Sequence, residues 1–215
     1  MTLLGAQHAG KAATPHALVL AAGLGSHFGR GKLHSLYRGE TLLSHVLAVV
    51  KAACARGQLA GGYVVVAGDD ERALGLVRAA GLHPVVNDSP GAGLSRSLRL
   101  GLEALENAGQ AVAAMVFLAD QPRVSLEVVE RLVSAWSSGT VSIIRPRYAA
   151  RPDVPGHPVL IPSSLWHGAR LLQGDQGFSA LPASITRETV VIDVPGNNPD
   201  VDTVVDLQRL EEHSP

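Results

Sequence analysis

The sequence predicts an α/β domain whose mostly parallel central sheet carries helices on both faces. Two observations lead there. Residues 18–22, 62–68 and 113–119 are short apolar runs with no polar alternation, as expected for strands covered on both sides. Between them lie segments whose apolar residues recur at helical spacing, so strand and helix alternate along the chain.

Residues 1–15 hold neither an apolar signal core nor a run able to span a bilayer, and are expected to be a flexible tail outside a domain of residues 16–215. After the first strand, residues 40–56 place apolar side chains at 42, 43, 46, 49, 50 and 53 and stop at Gly57, which predicts a helix. Residues 62–68 should pair in parallel with the first strand; residues 70–80 read as a helix ended by Gly81, and residues 83–87 as a further strand. A glycine loop over 87–98 runs into a helix reaching about Asn107. Strand 113–119 is followed by a helix from about Ser125, strand 141–144, and a proline-rich basic connection over 145–155. Residues 156–161 read as a strand, 163–173 as a helix, 189–194 as the last strand, and about 203–212 as the final helix.

Composition narrows the function. A formal net charge of -1 gives no reason to expect a nucleic-acid or membrane surface, so any anion binding must be local. The single cysteine, Cys54, sits in an apolar helical pattern and reads as a buried thiol; it can form neither an internal disulfide nor a cysteine cluster. A cytoplasmic location fits.

The chemistry gathers at Leu20-Ala21-Ala22-Gly23-Leu24-Gly25-Ser26-His27-Phe28-Gly29-Arg30-Gly31-Lys32. Glycines let backbone N–H groups close around an anion, and a lysine adds a mobile charge. The stretch reads as a nucleoside triphosphate site, with a plain strand-to-helix connection as the bland alternative. It is not a P-loop, because Leu33 rather than Ser or Thr follows Lys32. A dinucleotide-binding turn fits poorly, since it needs an acid about 20 residues on and the next strand ends near Asp69.

Other candidates each carry two readings. Ser95 and its neighbours in the second glycine loop suit a ribose or base contact, or a helix N-cap. Asp120 leaves the carboxyl end of a parallel strand, where it would serve as a magnesium ligand; Ser125 is the better cap for the next helix. His157 would face the site or fill the sheet edge. Asp175 lies in the sharp turn Gly174-Asp175-Gln176-Gly177, where an Asx turn is the structural reading. Asp202 is either a helix N-cap or a second metal ligand. The basic connection from Arg145 either holds an anionic substrate or is a solvated loop.

Six motifs in this order resemble one family: the glycine loop through Lys32, Gly93-Leu94-Ser95-Arg96-Ser97-Leu98, Leu118-Ala119-Asp120-Gln121-Pro122, Gly156-His157-Pro158, Gly174-Asp175-Gln176-Gly177 and Asp200-Val201-Asp202-Thr203. It is the MobA/MocA-like nucleotidyltransferase family, and within it most closely the molybdenum cofactor cytidylyltransferases, over about residues 17–210. The resemblance implies a three-layer Rossmann-like nucleotidyltransferase (GT-A-like) fold. It implies that Leu20, Ala21, Ala22, Gly23, Gly25, Ser26 and His27 line the nucleotide, that Lys32 meets its phosphates, and that Gly93, Ser95 and Ser97 help hold base and ribose. Lys32 and Asp120 would be catalytic, Asp120 and Asp202 would bind Mg2+, and His157 and Asp175 would face the acceptor. Ala22, where relatives that use GTP carry glycine, points to CTP.

The implied reaction moves CMP from CTP to the terminal phosphate of molybdopterin, with a molybdenum hydroxylase as the client for the product. A phosphate oxygen needs no general base; the reaction needs charge neutralisation and alignment. Relatives usually carry arginine where this chain has His27, and Ala-Arg where it has Phe178-Ser179. Two further readings remain: the same fold acting on another phosphorylated small molecule or using GTP, and a cofactor-binding chaperone for a molybdenum enzyme. Pyrophosphate release separates the enzymes from the carrier.

Overall fold

A computed structural model describes residues 14–23, 28, 31–109, 111–137, 142–186 and 189–212. The expected tail lies almost wholly outside them. The chain runs through β1 (His16–Ala21), β2 (Leu36–Tyr37), β3 (Glu40–Thr41), α1 (Leu42–Ala55), β4 (Gly62–Ala67), α2 (Glu71–Ala79), β5 (His83–Asn87) and α3 (Leu94–Asn107). It continues through β6 (Ala113–Leu118), α4 (Leu126–Ser137), β7 (Ile144–Tyr148), β8 (Val159–Pro162), α5 (Ala183–Thr186), β9 (Val190–Val194) and α6 (Val204–Glu212).

Seven strands form one sheet in the order β5-β4-β1-β6-β8-β7-β9. It is mostly parallel, as expected: β1 pairs in parallel with β4 and β6, β4 with β5, and β7 with β9, while β8 runs antiparallel between β6 and β7. Strand β1 shows how the layers arise. Its alternate residues Ala17, Val19 and Ala21 join the core under α1, α2 and α4, whereas Leu18 and Leu20 join the core under α3 and the segment 163–171. A strand with both faces buried must be apolar at every position, which is the pattern the sequence shows.

The strand expected at 156–161 is β8, Val159–Pro162, and α5 was not expected; three other differences are more instructive. Glu40 and Thr41 do not open the first helix but close a two-residue hairpin with Leu36 and Tyr37; Thr41 is the N-cap, accepting the Ser44 N–H at 3.1 Å. Residues 163–171 are helical, but as a 3-10 helix. The third difference bears on function. The expected connection at residues 145–148 is the body of β7, burying Ile144, Pro146 and Tyr148 while Arg145 and Arg147 alternate with them. Pro146 argues against a strand because it lacks an N–H. It is tolerated because β7 pairs with β8 at Ile144 alone, and beyond that point the Pro146 carbonyl accepts the Gly156 N–H at 2.7 Å.

The loop entering α3 is locked to the turn at 174–177. Ser95 N–H donates to the Gly174 carbonyl at 2.9 Å, and Leu94 N–H to Asp175 Oδ1 at 3.2 Å. Gly93 makes this docking possible, with φ +89°, ψ 177° and an open side where any Cβ would meet the Gly174 carbonyl at 2.4 Å. That backbone region is essentially confined to glycine. Gly93→Ala is therefore expected to lower stability by at least about 1–3 kcal/mol, the usual cost of such strain, read as a fall in the midpoint of urea unfolding.

Candidate active site

The site begins with strand register. Leu20 of β1 lies beside Leu118 of β6, and Ala119 N–H donates to the Leu20 carbonyl at 3.1 Å, so Gly23 and Asp120 leave the sheet side by side. The chain reverses its direction of growth here: β4 lies on one side of β1, β6 on the other, and such switch points open a crevice beyond the carboxyl ends. Val201 N–H donates to the Asp120 carbonyl at 3.1 Å, which carries Asp202 to the same place. Lys32 starts a 3-10 turn after Gly31, and a small core of Tyr37, Leu42, Val201 and Leu210 ties its neighbourhood to the segment bearing Asp202.

Three side chains then meet. Lys32 Nζ donates to Asp120 Oδ2 and to Asp202 Oδ1, both at 2.8 Å. Burial pulls the Lys32 pKa down, but the charges and hydrogen bonds of Asp120 and Asp202 outweigh it and hold the ammonium above its ordinary value. At Asp120 burial wins: it pushes the carboxyl up, Lys32 pulls it down by less, and the charges of Asp200 and Asp202 add to the rise. One ammonium thus sits between two carboxylates, with the Asp200 charge felt at Asp120 as well, and the excess is negative.

Asp202 does not cap α6. Thr203 does, accepting the Asp206 N–H at 3.1 Å while its own N–H donates to Asp206 Oδ2 at 2.9 Å. Ser125 caps α4, accepting the Val128 N–H at 3.4 Å, so Asp120 is free of that task too. Asp120 and Asp202 converge as hard oxygen donors with a negative excess, which fits Mg2+. Among the described residues no group of three or more His, Cys, Asp and Glu side chains is placed to hold a metal. A cation here would draw its remaining ligands from phosphates and water, which is how Mg2+ is usually held.

A cavity of about 380 Å³ opens over this cluster, and Leu20, Ala21, Ala22, Gly23, Lys32, Gly93, Ser97, Asp120, Asp175 and Asp202 all line it. Gly25, Ser26 and His27 lie outside the described residues. Ser95 is not among the lining residues: it is buried to 1 % exposure, and α3 begins at Gly93 with no side-chain cap. Neither of its expected roles matches that placement. Ser97 reaches the cavity with its hydroxyl fixed, accepting from Asn87 Nδ2 at 3.0 Å. Leu94, in the second glycine loop, and Leu118, beside Leu20 in the sheet, also line the cavity.

His157 belongs to a second cavity of about 430 Å³, which shares Leu20, Leu94, Leu118 and Asp175 with the first and is otherwise largely apolar. The Asp175 carboxylate faces both, while holding Leu94 N–H. Burial, with the nearby Arg145 charge, pushes the His157 pKa down to about 4. The expected connection from Arg145, read as either anion-holding or solvated, is divided by β7. Arg147 points out to an exposed pair with Asp193, whereas Arg145 is half-buried on the cavity wall. The alternation of residues 144–148 was the signal, and Pro146 obscured it.

With this arrangement in view, residues 17–189 match the family model of the MobA-like NTP transferase domain. The chain belongs to that family. The MobA-like domain here is 34% identical over 124 residues to the 2-C-methyl-D-erythritol 4-phosphate cytidylyltransferase of Psychrobacter arcticus; the match covers 56% of this chain and 42% of that enzyme. Among solved structures it resembles Rv0371c of Mycobacterium tuberculosis, with TM-score 0.74 and 29% identity over 94% of this chain and 98% of that one. A complex of Rv0371c with manganese aligns with TM-score 0.71 and 28% identity over 94% of this chain and 100% of that one. These matches place the domain among the nucleotidyltransferases of α/β fold. Among the described residues no helix is long and apolar enough to cross a membrane.

The pH dependence of stability follows from His157. The unfolded chain takes up its proton near the ordinary value of about 6.5, the folded chain only near 4. The stability this residue contributes is therefore complete above about pH 6.5 and is lost as pH falls to about 4, by up to about 3 kcal/mol. Urea unfolding of wild type and His157→Gln across that range should show a steeper loss in the wild type.

Proposed function

We propose that the protein is a CTP-dependent nucleotidyltransferase that moves CMP to the terminal phosphate of molybdopterin, giving a cytosine dinucleotide cofactor for a molybdenum hydroxylase and releasing pyrophosphate. The observation that carries this reading is Lys32 held between Asp120 and Asp202 at the floor of the first cavity, beside Ala21, Ala22 and Gly23. It supplies a cation for phosphates and two carboxylates for a metal at one point.

In this reading the triphosphate lies over Gly23 and Lys32, with the base toward Gly93 and Ser97 and the acceptor in the second cavity. An oxygen of the acceptor phosphate forms a bond to the α-phosphorus of CTP as the bond to the bridging oxygen breaks, and that oxygen leaves on pyrophosphate. Asp120 and Asp202 would hold Mg2+, which when bound would supply neutralisation of the triphosphate charge. Lys32 neutralises the same charge from the protein side; its tether to two carboxylates fixes where the phosphates rest and so aligns the attack. Neutral His157 adds no competing charge at the acceptor. The smaller volume left by Ala21 and Ala22 lets the nucleotide approach the end of β1 closely.

A second reading keeps the chemistry and changes the acceptor to a smaller phosphorylated alcohol. It is favoured by the 34% identity to the Psychrobacter arcticus enzyme.

Pyrophosphate release with CTP, GTP or ATP, in magnesium and with molybdopterin or 2-C-methyl-D-erythritol 4-phosphate as acceptor, tests both. Turnover is expected with CTP and molybdopterin. Turnover with the erythritol phosphate alone would select the second reading; binding without release would make the protein a carrier. Lys32→Ala and Asp120→Asn should each lower turnover by about 10²–10³, the usual cost of removing one preorganised charge-stabilising group.

A further inference from the structure

The turn that carries Lys32 is held from two sides. In the sheet β1 lies between β4 and β6 and runs parallel to both, so the three carboxyl ends share one edge. Lys32 reaches Asp120, just past the end of β6. From the same 3-10 turn His34 reaches the other way, to Asp70, just past the end of β4. The turn therefore crosses the end of β1 and is tied on each side.

The second tie is as closely made as the first. His34 Nε2 lies 2.9 Å from both Asp70 carboxylate oxygens, and since a carboxylate only accepts, the ring carries a proton on Nε2 and donates it. Both side chains are largely withdrawn from water, with His34 14 % and Asp70 26 % exposed. Asp70 is itself fixed: its Oδ1 accepts the Ala73 N–H at 2.9 Å as N-cap of α2, and its own N–H donates to the Ala67 carbonyl at 3.1 Å. His34 Nδ1 is buried with no partner, so among the described residues Asp70 supplies the ring's polar contact. Within the turn His34 N–H donates to the Gly31 carbonyl at 2.8 Å and Ser35 N–H to the Lys32 carbonyl at 3.1 Å, which couples the place of His34 to that of Lys32. His34 does not line the cavity over Lys32, so contact with a bound nucleotide does not account for the pair.

We propose that His34 is a positioning residue: by tying the turn to Asp70 it sets where the Lys32 ammonium stands before phosphates bind. The two carboxylates at Lys32 do not do this alone, because Asp202 is largely exposed and a lysine is a point charge on a flexible stem. An ammonium neutralises phosphate charge best when its position is fixed in advance. That phosphates are what Lys32 meets rests on the transferase reading; the fixing of the ammonium does not.

The experiment is acetylation of the full chain by acetic anhydride without nucleotide, the rate at Lys32 being read by mass spectrometry against the exposed Lys51 of α1. Relative to Lys51, Lys32 should react about threefold faster in His34→Leu and in Asp70→Ser, a change that keeps a cap for α2 but cannot reach the ring. His34→Gln, which restores an N–H donor, should return the rate to within about twofold of wild type. In parallel, calorimetric binding of inorganic tripolyphosphate with Mg2+ should be about fivefold weaker in His34→Leu, with no further loss when His34→Leu is added to Lys32→Ala, because a residue that acts through Lys32 has nothing to act on once the lysine is gone. An unchanged Lys32 rate in folded Asp70→Ser, or the same loss of tripolyphosphate binding with and without Lys32, overturns the proposal. Should His34→Leu not fold, Asp70→Ser and His34→Gln decide. If wild type binds no tripolyphosphate, the transferase reading fails, and the acetylation rates decide the positioning by themselves.

Discussion

The Lys32 ammonium between Asp120 and Asp202 is the constraint on which the rest of the site depends. Its partners lie 88 and 170 residues away along the chain, so the contact closes only when β1, β6 and the segment before α6 have all found their places. The lysine side chain is 11 % exposed and Asp120 24 %, whereas Asp202 is 63 % exposed. The pair with Asp120 therefore works at low dielectric and the pair with Asp202 largely in water, where an ion pair contributes little to stability. That asymmetry suits a functional centre better than a structural staple. Asp120 is fixed by the sheet, and Asp202 is the more exposed and more weakly held of the two partners.

Everything around the cluster serves to hold it still. The Leu20–Leu118 register aligns the two strand ends, and the bond from Val201 N–H to the Asp120 carbonyl fixes the third element to within one residue. On the far side of the cavity, the α3 entrance and the turn at 174–177 are bonded to each other rather than left as separate loops. Functional groups that sit on loops thus gain the precision of groups on strands. The antiparallel strand β8 widens the sheet beyond β6, and its Val159 and Ile161 line the second cavity.

Much of this was legible in the sequence because the central strands are buried on both faces. Residues 18–22, 62–68 and 113–119 could hardly be anything else, and once they are strands, Gly23 and Asp120 must leave the same end of the sheet. The residues around the first cavity followed from that geometry together with the family resemblance. Ser95 did not, because position in a loop sequence says nothing about which way a side chain turns, and this one turns into the core. The β7 strand was hidden for a different reason. Its proline is forbidden in a fully paired strand, and only the tertiary structure shows that β8 stops pairing one residue into β7.

That failure is informative about which parts of a site leave a signal in the chain. The first cavity is built from backbone register and glycine, which leave strong local signatures in the chain. The wall of a third cavity, which shares Arg145 and His157 with the second, is built from Arg145 on β7, His157 just before β8, and Asn197 and Asn198 in a loop; of these only Arg145 carries a periodic signal, the alternation of residues 144–148. Only the fold brings these groups together: a guanidinium with spare donors, and amide oxygens buried without donors. Each group alone is unfavourable to bury, and within the protein they do not satisfy one another.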